Sequence, residues 1–275
     1  MFVDVHVHYP HGLFDPPGET RSVEEKIEEL VRVERELGAQ RICVNSLAWP
    51  PCHEEVAAMI RRYPDFVVGF GYIQLGIDPP EQVDRLFAMG FRGLKMIQPL
   101  DNYDSKAYFP VYARAEAYRL PILFHTGQQM RVAGRGERGW DVSTARMMPW
   151  MLDPIARAFP DLTIIGAHLG VPSFAEAAWV ARWNRNIYFD LSGPITIRRG
   201  NRQIVHDMIY QALAGSGALE QIVFGSDVTN GEIPEVFAAY QQMLDRLDAS
   251  EELRHRVMYG NMARALGIAA PLANS

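Results

Sequence analysis

Six side chains in this sequence are of the types, and at the positions, that could bind a metal ion and move protons: His6, His8, Lys95, His125, His168 and Asp227. His6 and His8 stand two apart in Met1-Phe2-Val3-Asp4-Val5-His6-Val7-His8. In an extended strand residues i and i+2 share a face, so the two imidazoles are expected to project together while Val3, Val5 and Val7 cover the other side. His125 follows Ile122-Leu123-Phe124, His168 follows Thr163-Ile164-Ile165-Gly166-Ala167, and Asp227 follows Ile222-Val223-Phe224-Gly225-Ser226. Each polar residue thus ends an apolar run of strand length. Lys95 lies within a further short run, Gly93 to Ile97. Four imidazoles and one carboxylate suit a borderline divalent metal that takes nitrogen and oxygen, Zn²⁺ first, with Mn²⁺ or Fe²⁺ as alternatives. A single histidine after a strand is more often a hydrogen-bonded structural residue, so the metal reading rests on the set. Gly127, Gly166, Gly170 and Gly225 stand beside these strand ends, where a missing side chain leaves room for a ligand.

Such residues, scattered from position 6 to position 227, meet only in a scaffold that gathers strand ends. Ser22-Val23-Glu24-Glu25 has capping-box spacing, and Val23, Ile27, Leu30, Val31 and Leu37 follow at helical intervals up to a stop at Gly38. Strands are expected at 41–45, 67–73, 93–97, 121–125, 162–167, 187–191 and 221–224, after the first at 1–8. Helical patterns fill 53–63, 80–89, 110–118, 149–158, 172–181, 204–213 and 234–247. Eight strand–helix units in a chain of this length predict an α/β fold, a (β/α)8 TIM barrel, with an open doubly wound sheet as the alternative. Residues 251–259 and 261–266 are expected to form a helical tail packed on the outside. No linker-like stretch, low-complexity segment or repeat interrupts the pattern, so residues 1–275 are expected to form a single domain.

Chemistry in a barrel collects at the carboxyl ends of the strands, where the six residues fall. Tyr9 and His11, just beyond the paired histidines, are candidates to line the pocket; Asp4 is expected on the histidine face two residues lower. Asn45, Trp49, Gln98 and Ser192 lie at or beyond strand ends and are weaker candidates for substrate contact. The longest irregular stretch follows His125 and carries Gln128, Gln129, Arg131, Arg135, Arg138 and Trp140. Arginine recognises carboxylates through a bidentate fork, so Arg131 is a candidate to bind an acidic substrate.

Composition narrows the function classes. A net charge of −6 argues against general nucleic-acid binding, which rests on Lys and Arg meeting phosphates. Cys43 and Cys52 are the only cysteines and form no Cys-x-x-Cys pair, which suggests a reducing compartment. The sequence shows no basic leader followed by an apolar core, and no apolar run approaches the roughly 20 residues needed to cross a bilayer. A cytoplasmic protein without membrane partners is expected.

The motifs Asp4-Val5-His6-Val7-His8, Gly90-Phe91-Arg92-Gly93-Leu94-Lys95, Pro121-Ile122-Leu123-Phe124-His125-Thr126-Gly127, Ala167-His168-Leu169-Gly170, Phe224-Gly225-Ser226-Asp227 and Gly260-Asn261-Met262-Ala263-Arg264-Ala265-Leu266-Gly267 together cover nearly the whole chain. In them the sequence resembles the amidohydrolase superfamily, most closely its amidohydrolase-2 branch, which includes the aminocarboxymuconate-semialdehyde decarboxylase-like proteins. The resemblance implies a (β/α)8 barrel, in agreement with the independent count. It makes His6, His8, His125 and Asp227 ligands of one divalent metal, with no organic cofactor, and places His168 within reach of water or substrate. Asp227 and His168 would be the catalytic residues, Asp227 taking a proton from the activated water and His168 orienting it. Lys95 matches a position that is carboxylated between two metals in some members; here a free ammonium that binds substrate is expected, with Tyr9 and Arg131 as further substrate contacts.

The implied activity is hydrolysis of an amide, lactone or other ester of a small acidic substrate. The alternative is a metal-dependent non-oxidative decarboxylase of a small carboxylic acid, and a noncatalytic metal-binding barrel comes third. The chain is shorter than many such decarboxylases, which favours hydrolysis. The resemblance also allows a homodimer or larger homo-oligomer.

Overall fold

The computed structural model describes residues 1–12, 15, 18–48, 50–129, 142–197 and 200–268. Arg131, Arg135, Arg138, Trp140 and Trp49 lie outside them. Among the described residues seven parallel strands run in sequence order: β1 (Phe2–His8), β2 (Ala39–Asn45), β3 (Val67–Ile73), β4 (Gly93–Met96), β5 (Ile122–Phe124), β6 (Ile164–Gly166) and β7 (Ile187–Phe189). The eighth segment, expected at 221–224, is no regular strand, yet it closes the ring. Phe189 bridges Ile222, the Val223 N–H donates to the Phe189 carbonyl at 2.9 Å, and the Val5 N–H donates to the Phe224 carbonyl at 3.0 Å. The fold is therefore the expected α/β barrel, narrowest in its hydrogen bonding at the seam between β7 and β1.

Helices cover the outside: α1 (Val23–Leu37), α2 (His53–Arg62), α3 (Gln82–Ala88), α4 (Phe109–Ala117), α5 (Leu152–Ala158), α6 (Phe174–Trp183), α7 (Arg202–Ser216) and α8 (Ile233–Arg246). The ends of α1 follow from local chemistry. Ser22 and Glu25 cap each other's backbone N–H, and Gly38 turns the chain with φ 97°, a conformation glycine adopts without strain.

Inside the ring, Val3, Val5, Cys43, Phe70, Leu123, Ile165 and Val223 form one apolar layer. This corrects the expected alternation in β1. Asp4 pairs with Ile42 and Val7 with Val44, so three steps on β1 match two on β2. The extra residue is a β-bulge, which reverses the faces. Val3 and Val5 pack inward, Asp4 turns out towards α1, and His6 and His8 still reach the mouth. Asp4 is thus not on the histidine face. Its Oδ1 accepts from the backbone N–H of His6 at 2.9 Å and of Ser226 at 3.0 Å, tying the bulge to the segment that carries Asp227.

The C-terminal tail, α9 (Glu251–His255), a π-turn (Arg256–Gly260) and α10 (Asn261–Ala265), also differs from expectation. Tyr259, Met262 and Ala263 join the interior layer with Val3 and Val5, so the tail plugs the barrel floor instead of lying outside. The lower ends of the interior valines need an apolar cover, and the tail supplies it. Asn261 fastens the plug by donating to the carbonyls of Glu220 at 2.9 Å and Ile222 at 3.0 Å. No helix among the described residues is long and apolar enough to cross a membrane.

Candidate metal centre

The carboxyl ends of β1, β4, β5, β6 and the eighth segment bring five of the six singled-out residues into mutual contact, and the sixth, His125, joins through His168. The tightest group is His6, His168 and Asp227, whose ligand atoms all lie within 4.8 Å of one another. Asp227 Oδ1 is 2.8 Å from His8 Nε2 and 3.3 Å from His6 Nε2, and Asp227 Oδ2 is 3.8 Å from His168 Nε2. Lys95 enters from β4 and sets its Nζ 3.0 Å from His6 Nε2, while His125 Nδ1 lies 3.2 Å from His168 Nε2.

The backbone is bent to achieve this. His168 and Asp227 have φ of 65° and 52°, the left-handed region that costs non-glycine residues energy and recurs where function over-determines the chain. Between the ends of β5 and β6, the Thr126 hydroxyl donates to the Ala167 carbonyl at 2.5 Å and accepts from the Gly170 N–H at 3.1 Å, which holds His125 and His168 side by side. Gly127 has φ 81°, and a Cβ there would come 2.1 Å from the Val171 carbonyl oxygen. Only glycine fits that crossing.

Burial and charge give each group a defined state. Burial pushes the His6 imidazole down to about 4 against the pull of Asp227. It lowers His8 and takes His125 well below the usual histidine range. These imidazoles are therefore neutral near pH 7 and able to offer lone pairs. Burial raises the Asp227 carboxyl, but His6 and His8 outweigh it and keep the group charged, well below the usual carboxylate range. Burial also brings the Lys95 ammonium down to about 8.

A divalent cation fits this donor set. Neutral imidazoles and a carboxylate are the ligands that zinc-like metals take, and one buried imidazole nitrogen, His125 Nε2, has no hydrogen-bond partner among the described residues. His6, His8, His125 and Asp227 are the residues that would hold it, with His168 beside them.

Tyr9 stands beside His8 at the mouth, with His11, Val228 and Asn230, around a cavity of about 250 Å³. Arg131, expected to contact substrate, lies outside the described residues. Asn45 braces the backbone, its Nδ2 donating to the Val7 carbonyl at 2.7 Å. Sequence reasoning missed Asp190 and gave Ser192 only a substrate contact. Asp190 is fully buried, with Oδ2 3.0 Å from His6 Nδ1. Burial works against its charge, yet His6 and His168 hold the carboxyl down at about 2. The missed signal was the apolar run Ile187-Tyr188-Phe189: β7 stops at Phe189, so Asp190 is a strand-end residue like the others.

Comparison with known proteins agrees with the barrel fold. The chain resembles in fold an uncharacterised TIM-barrel protein of Bordetella bronchiseptica, with 20% identity, a TM-score of 0.70, and 97% of this chain and 98% of that one covered. A probable 2-pyrone-4,6-dicarboxylic acid hydrolase of Acinetobacter baumannii, solved with citric acid bound, matches at 13% identity and TM-score 0.67 over 97% and 99% of the two chains. The 5-carboxyvanillate decarboxylase of Sphingomonas paucimobilis matches at 14% identity and TM-score 0.63 over 98% and 99%. A comparison with curated protein sequences gives no match. The amidohydrolase family profile matches residues 3–268. With that match over nearly its whole length, the chain belongs to the amidohydrolase family.

Proposed function

We propose that this protein is a metal-dependent hydrolase that uses activated water to open an amide, lactone or other ester bond in a small acidic substrate. The observation that carries the reading is the convergence of His6, His8, His168, Asp227 and Lys95 at one end of the barrel, with a charged Asp227 2.8 Å from His8. A divalent cation held by His6, His8, His125 and Asp227, zinc by the preference of such a donor set, would supply Lewis-acid charge at a substrate oxygen and make a nearby water more acidic. Asp227, ionised at neutral pH, accepts the proton of the attacking water and returns it to the leaving nitrogen or oxygen. A new C–O bond forms to the water oxygen as the C–N or C–O bond breaks. His168, 3.8 Å from Asp227, orients that water through its Nε2. Lys95 offers a buried cation to a substrate carboxylate, and Tyr9 lines the entrance. Arg131 is proposed as a second carboxylate contact.

Decarboxylation is the second reading, favoured by one observation: a buried ammonium beside a proton-carrying carboxylate also suits a substrate that loses CO₂ and gains a proton on carbon. Chain length does not favour hydrolysis, because the likeness to the decarboxylase covers 98% of this chain and 99% of the other. A shared panel of cyclic and open-chain dicarboxylates separates the two, scored for ring opening or amide cleavage and for CO₂ release. Hydrolysis without CO₂ supports the proposal, and CO₂ release without hydrolysis replaces it. Activity that survives Asp227→Asn refutes both. The expected setting is the cytoplasm, with a small molecule as partner and no nucleic acid or membrane.

A further inference from the structure

Just beyond β7 the chain reads Asp190-Leu191-Ser192, and both polar side chains are fully buried and transfer no proton in the reaction above. Asp190 Oδ2 faces His6 Nδ1 at 3.0 Å. Asp190 Oδ1 accepts three hydrogen bonds, from the His168 backbone N–H at 2.9 Å, the Ser192 N–H at 3.0 Å and the Ser192 hydroxyl at 2.6 Å. The Ser192 carbonyl lies 3.1 Å from His168 Nδ1.

A carboxylate and a carbonyl can only accept, so each requires a proton on the ring nitrogen it faces. Asp190 therefore places the proton of a neutral His6 on Nδ1. On the other side of the ring, His6 Nε2 meets Lys95 Nζ at 3.0 Å, nearer than Asp227 Oδ1 at 3.3 Å, an oxygen that His8 Nε2 engages at 2.8 Å; the Lys95 amine donates to the lone pair left on His6 Nε2. The Ser192 carbonyl places the His168 proton on Nδ1 in the same way, which leaves His168 Nε2 as an acceptor. His125 Nδ1, 3.2 Å from it, must then donate. The His125 proton is used there, and its Nε2, buried without a partner among the described residues, carries a lone pair.

We infer that Asp190 and Ser192 are positioning residues: one brace after β7 sets the tautomers of His6, His168 and His125, so that Nε2 of both His6 and His125 is presented unprotonated, as a divalent cation requires. The cation half of this statement rests on the proposed metal centre; the tautomers do not. Partners of this kind, which hold the far nitrogen of a ligating histidine, typically govern metal affinity.

Asp190→Asn tests the brace almost isosterically. Three donors converge on Oδ1, so the amide oxygen takes that place and the NH₂ group faces His6 Nδ1. His6 must then accept at Nδ1 and carry its proton on Nε2, which blocks the nitrogen meant for the cation. Long-range ¹H–¹⁵N spectra of metal-free protein labelled at histidine report which ring nitrogen is protonated, each ring being assigned by the loss of its signals in the corresponding Gln variant. The expected result is Nδ1–H on His6, His168 and His125 in the wild type, and Nε2–H on His6 alone in the variant. Zn²⁺ affinity, measured against a chromophoric chelator, is expected to fall about 10–100-fold. An unchanged His6 tautomer in folded Asp190→Asn overturns the brace. A moved tautomer with unchanged Zn²⁺ affinity overturns its link to the cation and the ligand role of His6. If the variant does not fold, the wild-type spectra decide, because a proton on Nε2 of neutral His6 or His125 overturns the inference by itself.

Discussion

The seam of the barrel is where a small change should do the most damage. Its hydrogen bonding is thin between β7 and the eighth segment, and α8 supplies a staple from outside. The buried Tyr240 hydroxyl accepts from the Leu191 N–H at 2.5 Å and from the Gly225 N–H at 3.3 Å, and it donates to the Val223 carbonyl at 3.2 Å. Those residues adjoin Asp190 on one side and Ser226-Asp227 on the other. Tyr240→Phe keeps the ring, which packs 4.8 Å from Phe224, and removes only the oxygen. Two N–H groups then lose their acceptor in a buried place, where each unsatisfied donor costs about 1–3 kcal/mol. The Gly225 contact is long and belongs at the lower end, so the total comes to about 2–4 kcal/mol. Urea unfolding of metal-free protein measures it as a lowered midpoint with an unchanged slope. A change below about 0.5 kcal/mol, the range of an inconsequential surface substitution, would refute the staple.

Three other outcomes are expected. Lys95→Met, which keeps the stem and removes the cation, should lower kcat/KM for an acidic substrate about 10–100-fold, the worth of a charged hydrogen bond, and should spare a substrate lacking that carboxylate; equal loss on both substrates contradicts the assignment. Asp4 and Glu34 form a buried pair whose remaining oxygens receive no N–H or O–H from other described residues and are expected to share a proton, with Glu34 held well above its usual value by burial and by Asp4. Because the folded value is raised, the Glu34 contribution to stability is complete below its unfolded value of 4.5 and is lost as pH rises through the folded one. Glu34→Gln should therefore gain stability over the wild type between pH 5 and pH 8 in excess chelator, and a difference that is flat or falls with pH refutes the shared proton. Gly127→Ala forces both a left-handed alanine and the 2.1 Å contact, so the variant should fold poorly or lose metal affinity; wild-type melting and metal binding would show that the crossing is not tight.

Much of the site was legible because a barrel ends its strands in the same way each time. An apolar run is buried on both faces, and the first polar residue after it emerges at the mouth. That signal located His125, His168 and Asp227, and it would have located Asp190 had the seventh strand been ended at Phe189 and not at Leu191. The helix ends at Ser22 and Gly38 were legible because capping is local chemistry. The bulge in β1 was not. Val-Asp-Val-His-Val-His is a perfect alternation, and an inserted residue swaps the faces without leaving a mark in residue type. For the tail, an amphipathic helix looks the same whether its apolar side covers the flank of a barrel or its floor. Only the partners, Val3 and Val5, distinguish the two, and their direction depends on the bulge.

The central claim is that these side chains form one divalent metal site. Elemental analysis of protein purified without chelator, before and after supplementation with Zn²⁺, tests it most directly, with the double variant His6→Gln/Asp227→Asn alongside. The account predicts about one ion per wild-type chain and none in the variant. A wild-type chain that stays metal-free after supplementation, or a variant that keeps its ion, would contradict it.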